Sequence, residues 1–208
     1  MSYLLHVEVS PSGENSISSS ISQDFISAWS AAHPKAQVVL RDITGNTVPH
    51  LDIEAIYAGY TPEEARSPSI AAKYNYRKEL IKEITEAEEI VISAPMWNWS
   101  IPSALKAYFD QIIMSGTLDA GANKGLTGKK ITFILAHGGS YAKGAPKESW
   151  DFETGYLKLV ANALGATDVE VIAAEFTLAG VAPGMESFVD AKAASIETAR
   201  QSARNRAA

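Results

Sequence analysis

Two indoles and an amide stand together at Trp97-Asn98-Trp99, inside the run Ala94-Pro95-Met96-Trp97-Asn98-Trp99-Ser100-Ile101-Pro102. That run follows the apolar stretch Ile90-Val91-Ile92 and leads into an apolar-periodic helix, so it reads as the loop leaving a strand. Such a loop suits a flat, partly polar ring. It equally suits two core tryptophans at a strand–helix corner, since Trp is usually largely buried. A second set is rich in hydroxyls: Ser10-Pro11-Ser12-Gly13-Glu14-Asn15-Ser16-Ile17-Ser18-Ser19-Ser20. Entering a helix, it offers unpaired N–H groups, hydroxyls and the positive end of the helix dipole, which together suit a phosphate without any lysine or arginine. Read alone, the same serines are caps and loop. The third set is Ala136-His137-Gly138-Gly139-Ser140-Tyr141. Paired glycines let a backbone approach a ligand, or simply turn. His137 and Tyr141 are the groups here able to pass a proton, and histidine titrates near neutrality.

What is missing narrows the chemistry. Neither the G-x-x-x-x-G-K-[ST] loop of nucleoside triphosphates nor the G-x-G-x-x-G of dinucleotides is present, which leaves a monophosphate. There is no cysteine, so no thiol nucleophile, disulfide framework or thiolate metal site. His6, His33, His50 and His137 are scattered without ligand spacing, and no metal is expected. A net charge of −6 with no basic run argues against nucleic acid or an anionic membrane as partner. No apolar run approaches the ~20 residues that span a bilayer. The opening Met1-Ser2-Tyr3-Leu4-Leu5-His6 lacks the basic flank and apolar core of a signal peptide, so a cytoplasmic protein is the expectation.

The elements that must position these three loops follow from hydrophobic patterning. Strand-like runs fall at 3–9, 37–41, 89–94, 130–136 and 168–174, and the middle three read as buried on both faces. Helical patterns lie between and after them, at 18–29, 70–85, 101–113, 152–164 and 187–204. Strand alternating with helix five times implies an α/β, doubly wound, five-stranded parallel sheet with helices on both faces. A flavodoxin-like strand order, 2-1-3-4-5, is expected from that class, in a single domain over residues 1–208. All three loops would then leave the carboxyl ends of strands, where open sheets bind ligands. Residues 44–68 exceed a minimal crossover and read as a lid or dimer-contact element holding a short helix near Leu51, Ile53 and Ile56.

A monophosphate bearing a flat polar ring is flavin mononucleotide, FMN. On these residues the chain resembles the FMN-dependent NADH:quinone oxidoreductase and azobenzene reductase family of flavodoxin-like reductases. The family pattern P-M-Y-N-F-x-I-P-S-x-L-K-x-x-F-D appears here from Pro95 to Asp110, its Ser-rich loop as Ser10 and Ser16-Ile17-Ser18, and its S-R-G-G loop as Ala136-His137-Gly138-Gly139. The resemblance implies a homodimer with FMN bound noncovalently at the subunit interface. It implies a two-electron ping-pong reaction in which NADH or NADPH reduces the flavin, which then reduces a quinone or an azo compound. It places Ser10, Ser16, Ile17 and Ser18 at the phosphate and ribityl region. Pro95, Met96, Trp97 and Asn98 fall at the ring, with Asn98 on its pyrimidine edge, and Ala136, His137, Gly138 and Gly139 at the other polar edge. Tyr141 and His137 stand as the catalytic candidates. The chain departs from the pattern at Trp97, Trp99 and His137, where Tyr, Phe and Arg are usual. Residues 116–129 also lack the aromatic F-x-Y stretch that walls the substrate pocket, which bears on azo substrates.

Two other classes fit part of the pattern. A flavodoxin-type electron carrier would bind FMN without a substrate of its own, but the 44–68 insertion and the Trp-lined loop suit enclosure of a substrate. A phosphopantetheine-ester hydrolase needs a nucleophile–histidine–acid set or a metal cluster, and neither is evident. A yellow protein excludes the hydrolase, and sustained NADH oxidation with quinone excludes the carrier.

Overall fold

The computed structural model describes residues 2–45 and 47–208. Five strands, β1 (Tyr3–Glu8), β2 (Gln37–Asp42), β3 (Glu89–Pro95), β4 (Lys130–Ala136) and β5 (Asp168–Ala174), form one parallel sheet in the order β2-β1-β3-β4-β5. Among the described residues there are six α-helices: α1 (Ile17–Ala32), α2 (Ile53–Ala58), α3 (Pro68–Glu86), α4 (Ser103–Ile112), α5 (Phe152–Ala163) and α6 (Val189–Ala207). The expected strand order and helices are present, and α2 lies where the 44–68 insertion carries its apolar residues.

Alternation along each strand builds two cores. Leu4, Val91, Ile134 and Ile172 face Ile21, Phe25 and Trp29 of α1 and Ala199, Ala203 and Ala207 of α6. The alanine row at four-residue spacing lets α6 lie close to its neighbours. Leu5, Val7, Ile90, Ile92, Ile131 and Phe133 face the opposite layer, packed by Leu80 and Ile84 of α3, Leu105, Tyr108 and Ile112 of α4, and Leu157 of α5. Burying each Leu, Ile or Phe side chain stabilises by roughly 1.5–3 kcal/mol, so the two layers hold the sheet from both sides.

The helix starts follow side-chain chemistry. Ser16 Oγ accepts from Ser19 N, Asp52 from Ala55 N, Ser67 from Ile70 N ahead of Pro68, and Asp151 from Glu153 N and Thr154 N. The strand at 37–41 differs from expectation. It is an edge strand, with Val38 and Leu40 exposed, because order 2-1-3-4-5 places it outside β1. Its apolar run matches a buried strand in composition, and pairing alone decides that it is not one.

Arg77 of α3 ties the insertion to the body. Its buried guanidinium donates to the carbonyls of Gln111, Asp110 and Ile113 at the end of α4 and to that of Ala55 in α2, at 2.7–3.2 Å. Gln111 Nε2 donates to the Pro49 carbonyl, fixing the same insertion again. Among the described residues no helix is long and apolar enough to cross a membrane, and no group of three His, Cys, Asp or Glu could hold a metal ion.

Candidate active site

A cleft of about 310 Å³ opens beyond the carboxyl ends of β1, β3 and β4. Ser10, Ser12, Ser16, Ile17 and Ser18 form one end, Pro95, Met96 and Trp97 the other, with Ala136, Gly138, Thr177 and Leu178 along the side. The three loops singled out in the sequence therefore meet in one place. Neighbouring parallel strands end together, and order β1-β3-β4 sets their loops side by side.

The serine end is a donor set. Ser16 N donates to the Gly13 carbonyl, Ser19 N to Ser16 Oγ and Ser20 N to the Ser16 carbonyl. The N–H groups of Ile17 and Ser18, in the first turn of α1, have no intrahelical acceptor. Buried Ser10, Ser16 and Ser18 add their hydroxyls. Free amides, hydroxyls and a helix start without a cation suit a phosphate group.

The aromatic end is a tight hairpin. Trp97 N donates to the Ser100 carbonyl at 3.0 Å and Ser100 N returns the bond at 3.1 Å. Both central residues have positive φ, 48° at Asn98 and 67° at Trp99. Asn tolerates this region, whereas a bulky residue there is strained. The strain at Trp99 is held by Phe152 N, which donates to its carbonyl at 3.0 Å, and by Trp150, whose ring meets it edge-on at 5.6 Å. The tryptophans are not core plugs: Trp97 and Trp99 are both exposed. Trp97 lines the cleft, while Asn98 stands exposed at the hairpin tip with its side chain outside the cleft lining.

At the glycine loop, the carbonyls of His137, Gly138 and Gly139 accept from Thr177, Leu178 and Phe176, binding the loop to the segment after β5. The N–H groups of Gly138 and Gly139 find no acceptor among the described residues. Gly138 lines the cleft, and a Cβ there would lie 2.8 Å from Leu178 Cδ1, the far end of a half-exposed side chain that can swing aside. Gly139 has room for a Cβ in ordinary contact with the Tyr141 ring.

His137 and Tyr141 do not line this cleft. They face a neighbouring one of about 650 Å³ against α5, together with Asp151, Lys158 and Glu175. The buried imidazole sits between two carboxylates, Nε2 at 3.3 Å from Glu153 Oε2 and Nδ1 at 3.8 Å from Glu175 Oε1. Proximity binds them, since neither ring nitrogen nor either Glu153 oxygen has hydrogen-bond alignment. Burial pulls the His137 pKa down, but Glu153 and Glu175 outweigh it and lift it to about 9. Burial pushes Glu153 up to about 7 against the opposing pull of His137. Burial also acts to raise Glu175, yet His137, the Ser140 hydroxyl and the Tyr141 N–H bring it down to about 2. The ring is thus an imidazolium at neutral pH, where the bare sequence suggests titration near pH 6.5.

Residues 116–129 lie at the opposite end of the sheet. Leu126 N donates to the Leu164 carbonyl and Lys129 Nζ to the Ala87 carbonyl, before β3 begins. Three groups around the site were missed in the sequence. Thr177 and Leu178 lie past β5, where no motif marks them. Glu8 lies beneath the serine loop, and its signal is legible: His6 and Glu8 are ionisable residues two apart on one face of an apolar strand.

The whole chain has relatives. A family model described as flavodoxin-like fold matches residues 2–205. An FMN-dependent NADH:quinone oxidoreductase of Parafrankia sp. (strain EAN1pec) is 41% identical and covers all of both chains. One from Frankia casuarinae is 43% identical, covering 100% of this chain and 99% of the relative. Among solved structures, an azoreductase from Bacillus anthracis str. Sterne superposes with a TM-score of 0.85 at 22% identity, covering 100% of this chain and 99% of that one. An FMN-dependent NADH-azoreductase from Bacillus anthracis str. Ames Ancestor, solved in complex with FMN, gives 0.82 at 20% identity over the full length of both. At such identities the solved structures speak for the fold, and the sequence relatives speak for the family. The chain belongs to the family of FMN-dependent NADH:quinone oxidoreductases, on the flavodoxin-like fold.

Proposed function

We propose that this chain is an FMN-dependent NADH:quinone oxidoreductase working by a two-electron ping-pong cycle as a cytoplasmic homodimer. The observation that carries the reading is the single cleft joining a phosphate-type donor set to an apolar, aromatic wall and a pair of free glycine amides. FMN fits that set in kind: an anion at the α1 start, a planar ring against Met96 and Trp97, a polar edge at Gly138 and Gly139. When bound, it supplies hydride acceptance from the nicotinamide and two-electron delivery to the quinone.

The residues divide the work by place. Ser10, Ser16, Ile17 and Ser18 hold the phosphate through hydroxyls and amides. Pro95, Met96 and Trp97 orient the ring, and Asn98 brings its amide to the ring edge from the hairpin tip. Gly138 and Gly139 offer backbone donors where negative charge develops, with Ala136 lining the cleft beside them, and donors aimed at developing charge contribute most to rate. His137 adds a positive charge behind that loop. Tyr141 opens on the neighbouring cleft, with its hydroxyl 4.0 Å from where a Cβ on Gly139 would stand, and donates to the acceptor's oxygen from that side of the loop.

What supports the dimer is the surface left uncovered. Ile53, Ile56, Tyr57 and Tyr60 of the insertion are exposed, as are Trp97, Trp99, Trp150 and Phe152 beside the cleft. Trp99, Trp150 and Phe152 meet one another, and exposed aromatic surface of this kind marks an interaction face. NADPH is a second donor compatible with the site, and azo compounds are second acceptors.

The test is direct. Purified protein should retain a flavin absorbance after desalting and oxidise NADH steadily only when a benzoquinone is added, with parallel double-reciprocal lines. A colourless protein that takes up no added FMN refutes the reading, and bound flavin without sustained turnover makes it a carrier.

A further inference from the structure

Beneath the serine loop lies an acid that the proposed chemistry has not used. The Glu8 carboxylate, at the end of β1, has a side chain only 15% exposed. Its Oε1 accepts from Ser19 Oγ at 2.5 Å and from Ser10 N at 3.3 Å, and its Oε2 accepts from Ser93 Oγ at 3.0 Å. Ser19 Oγ is also 2.5 Å from Ser16 Oγ, which lines the cleft. Each hydroxyl has a single proton to give. While Glu8 is ionised it takes the Ser19 proton, so the Ser19–Ser16 contact must use the proton of Ser16. Ser16 Oγ also accepts from Ser19 N at 3.2 Å and lies 3.3 Å from Ser18 Oγ, so toward Ser18 and the cleft it then shows only a lone pair, which repels a phosphate oxygen.

Resting on the reading of this loop as a phosphate site, we infer that Glu8 is a proton-dependent positioning residue whose protonation reverses the Ser19–Ser16 relay and couples phosphate capture to proton uptake. With a proton on Glu8, its O–H donates to Ser19, Ser19 donates to Ser16, and the Ser16 O–H is released toward the side that holds Ser18 Oγ and the cleft. Protonation also removes a negative charge lying close beneath an incoming dianion. Burial already pushes Glu8 above the usual carboxylate range, against the pull of its hydrogen bonds from Ser19, Ser93 and Ser10. The titratable groups facing it are His6 on β1, 3.4 Å away, and Asp42 on β2, paired with it in register. Burial holds His6 near pKa 4, so it stays neutral, and Asp42 pushes Glu8 further up. From α1 and β3 come the uncharged Ser19 and Ser93.

The experiment is calorimetric titration of apoprotein with FMN and with riboflavin, in buffers of differing ionisation heat. The pH runs from 7.5 to 9, above the phosphate's own second ionisation near ~6. Wild type should take up protons with FMN but not with riboflavin, and its FMN Kd should rise by up to ~10-fold per pH unit. Glu8→Gln, which cannot ionise and so puts no charge beneath the phosphate at any pH, should bind FMN with a flat pH profile and more tightly than wild type at pH 9. Ser19→Ala, which breaks the relay and leaves the carboxyl in place, should take up fewer protons than wild type, keeping only the share owed to the carboxylate's charge. The inference is overturned if either variant keeps the wild-type proton count, or if folded Glu8→Gln binds FMN more weakly at pH 9. Failure of the phosphate site itself looks different: wild type would then bind riboflavin as tightly as FMN.

Discussion

His137 Nε2 lies 3.3 Å from Glu153 Oε2, in a contact where Glu153 is fully buried and His137 nearly so. The pair sits directly behind the glycine loop, so its charge state bears on stability and on the site together. A histidine with a raised folded pKa contributes stability that is complete below its unfolded value near ~6.5 and is lost as pH rises through about 9. Glu175 runs the other way, its contribution present above the usual carboxylate range and lost as pH falls toward about 2. Urea midpoints should therefore fall between pH 7 and 10 in wild type, and His137→Gln should flatten that fall. An identical alkaline slope in the variant would show that the ring carries no charge there.

Phosphate capture should depend on Ser16 and Ser18. A hydrogen bond to a charged group contributes roughly 1.5–3 kcal/mol, so replacing both by alanine should weaken FMN binding at least ~10-fold. Ser16 also caps α1, so the variant should lose about 1 kcal/mol of stability as well. Equilibrium dialysis against FMN checks the first figure and urea unfolding the second. FMN retention unchanged from wild type counts against the assignment.

Trp99 holds a left-handed backbone that disfavours a large side chain by roughly 1–2 kcal/mol, offset in part by its edge contact with Trp150. Trp99→Gly should therefore leave stability within about 1 kcal/mol of wild type. Trp99→Val, branched at Cβ and without the ring, should lower it by more than that. Thermal unfolding of the two variants decides the order, and the reverse order would contradict the strain argument.

Arg77 serves four carbonyls with one planar fork. Arg77→Met leaves those oxygens buried without donors, at about 1–3 kcal/mol for each that water cannot reach. The expected loss is at least ~3 kcal/mol. Arg77→Lys should recover only part of it, because three rotating donors on one nitrogen cannot reach two helix ends at once. Denaturant midpoints that match wild type in either variant would show that water replaces the guanidinium.

Tyr57 and Tyr60 stand exposed on the insertion, Tyr60 at 69%. If a second copy covers them, Tyr57→Glu with Tyr60→Glu should yield a monomer by sedimentation and lose most quinone turnover while each subunit stays folded. A dimer surviving the double substitution would move the interface elsewhere.

The sequence by itself determined the alternation of strand and helix, and with it the sheet class. Patterns of period two and near four need only local geometry to read. It also determined the three loops, since Ser10–Ser18, Pro95–Asn98 and Ala136–Gly139 each follow a strand and must lie at its carboxyl end. Tertiary structure decided everything that depends on which surfaces meet. Strand pairing, not composition, placed the apolar run of β2 at an edge. Bonds from Phe176, Thr177 and Leu178 tied the glycine loop to the segment after β5, which no motif marks. The turn of β4 at its end aimed His137 away from the cleft and between Glu153 and Glu175, residues 16 and 38 positions further along the chain. A side chain's pKa follows from neighbours brought together by folding, so the ring expected to titrate near neutrality is held as a cation by two carboxylates no motif connects to it.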